Sequence, residues 1–252
     1  MRNIDDYTNK YITEGWYEFE EYQVKYRIKN MLEVLKKYSH ESVLEIGCGL
    51  EPIGKYMTDI EKYTIVEPSK LFIENASKMF HKKNDLCLVK GFFEEKFKIF
   101  KQDKFSVIIL SGLLQEVEAP NLMLKSIEEI ADSQTVIHIN VANGNSFHRL
   151  LALESGIIQS ATEFSSNNIN LQQHNVFTMD TLISCIKDSL HHDIEILDKG
   201  SYWIKPFTHK QMAMMMNENI INEKILDGFE KMIKYMPELG SEIFVNFRIK
   251  DC

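Results

Sequence analysis

Apolar residues recur at helical spacing over residues 3–38, where Tyr7, Tyr11, Ile12, Trp16, Phe19, Tyr22, Tyr26, Met31, Leu32 and Leu35 supply one face. The segment has no proline and no glycine pair, so it reads as one or two helices. The pattern then changes. Short apolar runs at 42–47, 63–67, 85–90, 105–111 and 135–141 predict strands, and helical spacing returns over 71–81 and 122–130 between them. Strands of this kind, alternating with helices, imply a parallel sheet covered on both faces, with every strand C-terminus on one edge.

Past residue 141 the character shifts again. Residues 142–173 are rich in Asn and Ser around an apolar stretch at 150–158 and read as a cap inserted after the fifth strand. Helical spacing resumes at 181–190, a strand follows at 194–204, and 242–250 closes the chain. Between those two strands, 209–235 predicts one long helix. Its Met212, Met214, Met215 and Met216 form a soft apolar cluster suited to core packing or a dimer contact.

The chemistry concentrates at Val43-Leu44-Glu45-Ile46-Gly47-Cys48-Gly49, followed about twenty residues on by Val66-Glu67-Pro68. A buried strand enters a turn too tight for side chains, and the next strand ends in a carboxylate that can accept from both hydroxyls of a ribose. That combination points to a nucleoside cofactor. A dinucleotide turn carries a third glycine where Pro52 stands, and Glu45 and Glu51 would repel a pyrophosphate. A sulfonium and an ammonium would be attracted instead, which favours S-adenosylmethionine over NAD. The alternative is a plain strand-to-helix turn with solvated acids.

The 252 residues suffice for one substantial core and are few for two. A single domain over 1–252 is expected, with residues 1–40 as an N-terminal helical lid and 142–175 as the cap. The net charge of -8 works against nucleic acid or an anionic membrane as partner. The densest basic cluster, Lys96, Lys98, Lys101 and Lys104, alternates with acids and phenylalanines like a solvated surface. No apolar stretch is long enough to span a bilayer and no leader-like segment opens the chain, so a cytoplasmic location is expected. Cys48, Cys87, Cys185 and Cys252 share no close spacing, and no His and acid pairing suggests a metal.

On these motifs the chain resembles the class I S-adenosylmethionine-dependent methyltransferases. The resemblance rests on 43–49, on Thr64-Ile65-Val66-Glu67-Pro68-Ser69, on the run 105–117, and on the order of elements, which covers most of the chain. It implies a Rossmann-like, seven-stranded, mostly parallel sheet with helices on both faces. It also implies cofactor contacts from Glu45, Gly47, Gly49 and Glu67, from Ser111 at the end of the fourth strand, and from a tyrosine of the N-terminal segment, Tyr7, Tyr11 or Tyr22. The third motif resembles Val89-Lys90-Gly91-Phe92-Phe93-Glu94. Many members place an aspartate after that glycine, so Phe92 or Phe93 would pack on adenine here.

Leu114-Gln115-Glu116-Val117 stands where many members acting on small molecules carry a histidine before the valine, leaving Glu116 as a possible base. The stretch 141–149, with His174 further on, resembles a subgroup from polysaccharide and nucleotide-sugar pathways, with Ala142 and Gln173 replacing a proline and a glycine. That resemblance implies His148 and His174 facing the substrate as bases, Arg149 binding a phosphate or carboxylate, and Asn143 lining the site. Capping or hydrogen bonding within the insertion is the competing role for both histidines. Nothing after the fourth strand resembles the Asn-Pro-Pro-Tyr sequence that grips amides and base amines.

The expected function is therefore O-methylation of a small sugar-like, phosphorylated or nucleotide-linked metabolite of surface (capsular) polysaccharide synthesis, with a possible homodimer. N-methylation of an amino sugar and a non-catalytic cofactor-binding protein are the alternatives. A nicotinamide oxidoreductase is made remote by Pro52.

Overall fold

The computed structural model describes residues 3–13, 17–80 and 85–250; Trp16, His81 and Cys252 lie outside them. Seven strands form one sheet: β1 (Ser42–Ile46), β2 (Lys62–Glu67), β3 (Leu86–Lys90), β4 (Val107–Ser111), β5 (Val136–Ala142), β6 (Ile194–Tyr202) and β7 (Glu242–Ile249). Their order is β3-β2-β1-β4-β5-β7-β6. The first five strands run parallel, and β7 lies antiparallel between β5 and β6. This is the Rossmann-like, seven-stranded, mostly parallel sheet that the resemblance implies.

Alternation within each strand divides the core into two layers. Leu44, Ile46, Ile108, Leu110, Ile137 and Ile139 point to one face. They meet Met123, Leu124 and Ile127 of α5 (Pro120–Glu128), Leu182 and Ile186 of α8 (Met179–Ser189), and Phe93 of α4 (Phe93–Lys96). Val43, Ile65, Val107, Ile109 and Val136 point the other way, onto Met31 and Leu35 of α2 (Tyr17–Leu35) and Ala76 of α3 (Lys70–Met79). Burial on both faces is why these strands are continuously apolar.

The N-terminal segment forms two helices, α1 (Ile4–Thr13) and α2. The cap holds α6 (Phe147–Glu154) and α7 (Ser166–Asn170), and its ends are pinned by a parallel bridge between Asn143 and Phe177. Asn3 N–H donates to Gln172 Oε1 at 3.2 Å, and Gln172 Nε2 donates to Asp6 at 2.9 Å, so α1 is clipped to the cap.

The single helix expected over 209–235 is instead two, α9 (His209–Asn217) and α10 (Glu223–Lys231), followed by a 3-10 turn. Asn219 turns the chain at φ +56°, and Asn222 caps α10 by accepting from Ile225 N–H at 3.2 Å. Met212 is buried and Met215 and Met216 pack beside it, against Phe19, Tyr26 and Trp203. Those three methionines thus complete an intramolecular cluster; Met214 stays exposed. No helix among the described residues is long and apolar enough to cross a membrane.

Candidate active site

At the C-terminal edge of β1, β2, β4 and β5 the sheet opens into a cavity of about 1410 Å³, roofed by Ile4, Tyr7 and Tyr11 of α1. Its first half is built by the glycine turn. Gly47 and Gly49 take φ +73° and +56°, a region L side chains rarely enter. A Cβ on Gly47 would press to 3.2 Å from Leu113, whereas one on Gly49 would meet no protein atom within 4 Å. Gly49 therefore leaves an open cradle on the cavity wall. Glu67 is buried beside it, accepting from Ser69 N–H at 2.8 Å and from Gly49 N–H at 3.4 Å. The turn leads not into an α-helix but into a 3-10 turn, Ile53–Lys55, started by Pro52. No α-helix N-terminus is aimed from there at a pyrophosphate.

Glu45 also lines the cavity, but its carboxylate is held from behind. Ile53 N–H donates to both oxygens at 3.2 and 3.1 Å, and the Tyr63 hydroxyl donates to one of them. Gly54 is required there, since a Cβ would fall 2.4 Å from the Tyr63 ring. Burial pushes Glu45 up to about 7, against these hydrogen bonds.

The second half is a charged chamber that no motif announced. Arg27 of α2 donates through Nε and Nη2 to Glu242 at the start of β7, at 2.7–2.9 Å. Gln23, Asn140 and Tyr202 also donate to Glu242, at 2.7, 2.9 and 2.5 Å. Burial pushes Glu242 up, but the Arg27 guanidinium and these donors overcome it and hold the carboxyl below its usual range. Glu20, two turns before Arg27 on α2, lies 3.8 Å from Arg27 and 3.7 Å from His209. Burial pushes it up to about 7, with Arg27 opposing.

Lys205 enters because the chain turns sharply after β6. Trp203 takes φ +57° and stacks on Tyr26 with centroids 5.0 Å apart, and Pro206 keeps Lys205 extended. His209 opens α9 behind the capping box of Thr208 and Gln211. Lys205 Nζ lies 3.1 Å from His209 Nε2. Burial holds His209 and His148 well below the usual histidine range, with Lys205 adding to both, so both are neutral near pH 7.

The positions read from sequence divide. Glu45, Gly47, Gly49, Glu67, Ser111, Glu116, Asn143, His148 and Arg149 all line the cavity. Tyr7 donates to Glu116 at 3.4 Å, and Glu116 is buried. Two of these residues have structural duties: Asn143 donates to the carbonyls of Glu238 and Gly240 at 2.9 Å, and Arg149 donates to those of Ala161 and Glu163. Arg149 is thus engaged rather than held ready for a phosphate.

Four positions fall outside the cavity wall. His174 is exposed, its backbone N–H donating to the Gln115 carbonyl at 2.9 Å, so it is no base for this chamber. Tyr22 turns away to pack on Phe19, because the cavity-facing stripe of α2 runs through Glu20, Gln23, Val24, Arg27 and Met31. Phe93 is core. Phe92 lines an adjoining depression of about 460 Å³ that shares Ile4 and Pro68 with the main cavity.

No family model matches the chain and no curated protein matches it. Solved structures share its fold. The plantazolicin methyltransferase BamL, in complex with a triazolic desmethylPZN analog and SAH, is 16% identical with a TM-score of 0.62, covering 99% of this chain and 95% of that one. A SAM-dependent methyltransferase from Thermotoga maritima, a possible histamine N-methyltransferase, is 16% identical with a TM-score of 0.63, covering 99% and 100%. The (4+2)-cyclase SpnF is 10% identical with a TM-score of 0.56, covering 89% and 80%. The fold is therefore that of the class I methyltransferases. Because a cyclase shares it, the reaction has to be argued from the site.

Proposed function

We propose that this protein is an S-adenosylmethionine-dependent methyltransferase that methylates a hydroxyl of a small, sugar-like acceptor. The observation that carries the reading is the continuity of one cavity, from the cradle at Gly47, Gly49 and Glu67 to a buried polar chamber. When bound, S-adenosylmethionine supplies a methyl group on a positively charged sulfur, open to in-line attack. Glu67 would accept from the ribose hydroxyls, Gly47 and Gly49 let the ligand approach the main chain, and Glu45 and Glu51 favour its cationic end. The depression at Pro68 and Phe92 suits an adenine.

The chamber residues position the acceptor and take its proton. Gln115 Oε1 is buried with no hydrogen-bond donor among the described residues, and it can accept from an acceptor hydroxyl. His148 is neutral and has Nδ1 3.1 Å from Ser146 Oγ; in the tautomer whose Nδ1–H donates to that hydroxyl, Nε2 is open to receive the proton. The sugar-pathway acceptor rests on the resemblance at 141–149 alone, with His174 lost from that argument. N-methylation is the second reading, favoured by Glu20 and Glu116, two buried carboxylates that could hold an ammonium.

Incubation with S-adenosylmethionine carrying a deuterated methyl, over a panel of sugars, sugar acids and amino sugars, tests this by mass spectrometry. Label on oxygen, reduced at least a hundredfold in His148→Gln, is the expected result. Label on nitrogen would replace O-methylation with the second reading. Cofactor binding without transfer to any acceptor would favour a non-catalytic binding protein.

A further inference from the structure

Lys205 is 7% exposed yet lines the cavity, and no carboxylate among the described residues comes within the 4.0 Å of an ion pair. Among the described residues its ammonium has two hydrogen-bond partners, both neutral: His209 Nε2 at 3.1 Å and Gln23 Oε1 at 3.5 Å. These can occupy two of its three N–H bonds. A buried cation without a paired anion is costly, and proteins retain one chiefly where something else completes it.

The neighbouring carboxylates are already engaged. Glu242 accepts from Arg27, Tyr202, Gln23 and Asn140, and Glu20 sits between Arg27 and His209. Burial works against the Lys205 charge, Glu20 and Glu242 support it only from beyond ion-pair distance, and Arg27 opposes it. The third N–H bond has no acceptor among the described residues, and the cavity that Lys205 lines is where a ligand can supply one.

We propose that Lys205 is the carboxylate-binding residue of the acceptor chamber, and that the methyl acceptor carries one carboxylate, as a sugar acid does. This rests on the methyl-transfer reading of the cavity. One ammonium balances one negative charge. A phosphomonoester dianion would need a second cation; Arg27 is paired with Glu242, and Arg149, although it keeps its charge, spends Nε and Nη2 on two backbone carbonyls, which favours a monoanion.

The test uses the full chain with lysine labelled with carbon-13 at Cε, saturated with S-adenosylhomocysteine, and followed by NMR during titration with sodium benzoate. The resonance lost in Lys205→Arg identifies Lys205. Benzoate is expected to move it saturably, sodium chloride at equal ionic strength to leave it in place, and Lys205→Gln to bind benzoate at least tenfold more weakly. Affinity for S-adenosylhomocysteine should stay within twofold in that variant. An immobile resonance, an equal response to chloride, or undiminished benzoate binding in Lys205→Gln would overturn the proposal, and tighter binding of inorganic phosphate than benzoate would overturn the carboxylate assignment. If wild type fails to bind S-adenosylhomocysteine, the cofactor reading falls separately, and the benzoate response of Lys205 is still read on the free chain.

Discussion

Arg27→Met would leave Glu242 ionised, 2% exposed and stripped of its guanidinium partner. Removing one member of a buried pair costs about 3–5 kcal/mol, because the charge left behind has no compensation. Tyr202, Gln23 and Asn140 still donate to Glu242, so the lower end applies, about 3 kcal/mol. For a chain of this size that corresponds to a fall in Tm of roughly 6–12 °C. Urea unfolding at pH 7 measures it, and Arg27→Met with Glu242→Gln should regain most of the loss. The pH dependence gives a second check. Glu242 in the wild type has its folded pKa depressed, so the stability it contributes is full above the unfolded carboxyl value and is lost as pH falls through the folded one. The gap between wild type and Arg27→Met should therefore narrow below about pH 5. A loss under about 1 kcal/mol at pH 7, or a gap unchanged between pH 7 and 4, would refute the description of this pair.

Gly49→Ala places a methyl in a left-handed turn at φ +56°, with no protein atom to clash with. Stability should fall by about 1–2 kcal/mol, while affinity for S-adenosylhomocysteine in titration calorimetry should fall at least fivefold, because the methyl occupies the cradle. Glu45→Gln tests the buried carboxylate. Its folded value near 7 lies above the unfolded one, so the native state holds the extra proton and wild-type stability declines as pH rises from about 4.5 to 7. The variant should lack that decline, which amounts to about 3 kcal/mol at most across the window, read by urea unfolding at both ends.

The sheet was legible because its strands are buried on both faces: Val107 to Leu110 is a run of four apolar residues, each wholly buried. The glycine turn and its carboxylate were legible for a related reason, since Gly47, Gly49 and Glu67 lie at the ends of adjacent strands in register, and spacing along the chain translates into proximity. Neither condition holds for the charged chamber. Glu20, Arg27, Lys205, His209 and Glu242 come from α2, the turn after β6, α9 and β7, and only tertiary packing brings them together. The one available signal was the set Glu20, Gln23 and Arg27, polar groups at helical spacing within an aromatic helix. It would also have excluded Tyr22, which lies on the neighbouring stripe with Phe19 and Tyr26. The break at Asn222 was hidden because Met212 to Leu226 keeps enough apolar residues at helical spacing to mask a capped start.

Binding of S-adenosylmethionine in the cradle at Gly49 and Glu67 underlies every role proposed for this cavity. Titration calorimetry of the purified chain with S-adenosylhomocysteine, repeated on Glu67→Ala, tests it most directly. Saturable binding that the substitution weakens tenfold or more, about 1.4 kcal/mol, is the expected result. Absence of saturable binding in the wild type, or equal affinity in the two proteins, would contradict it.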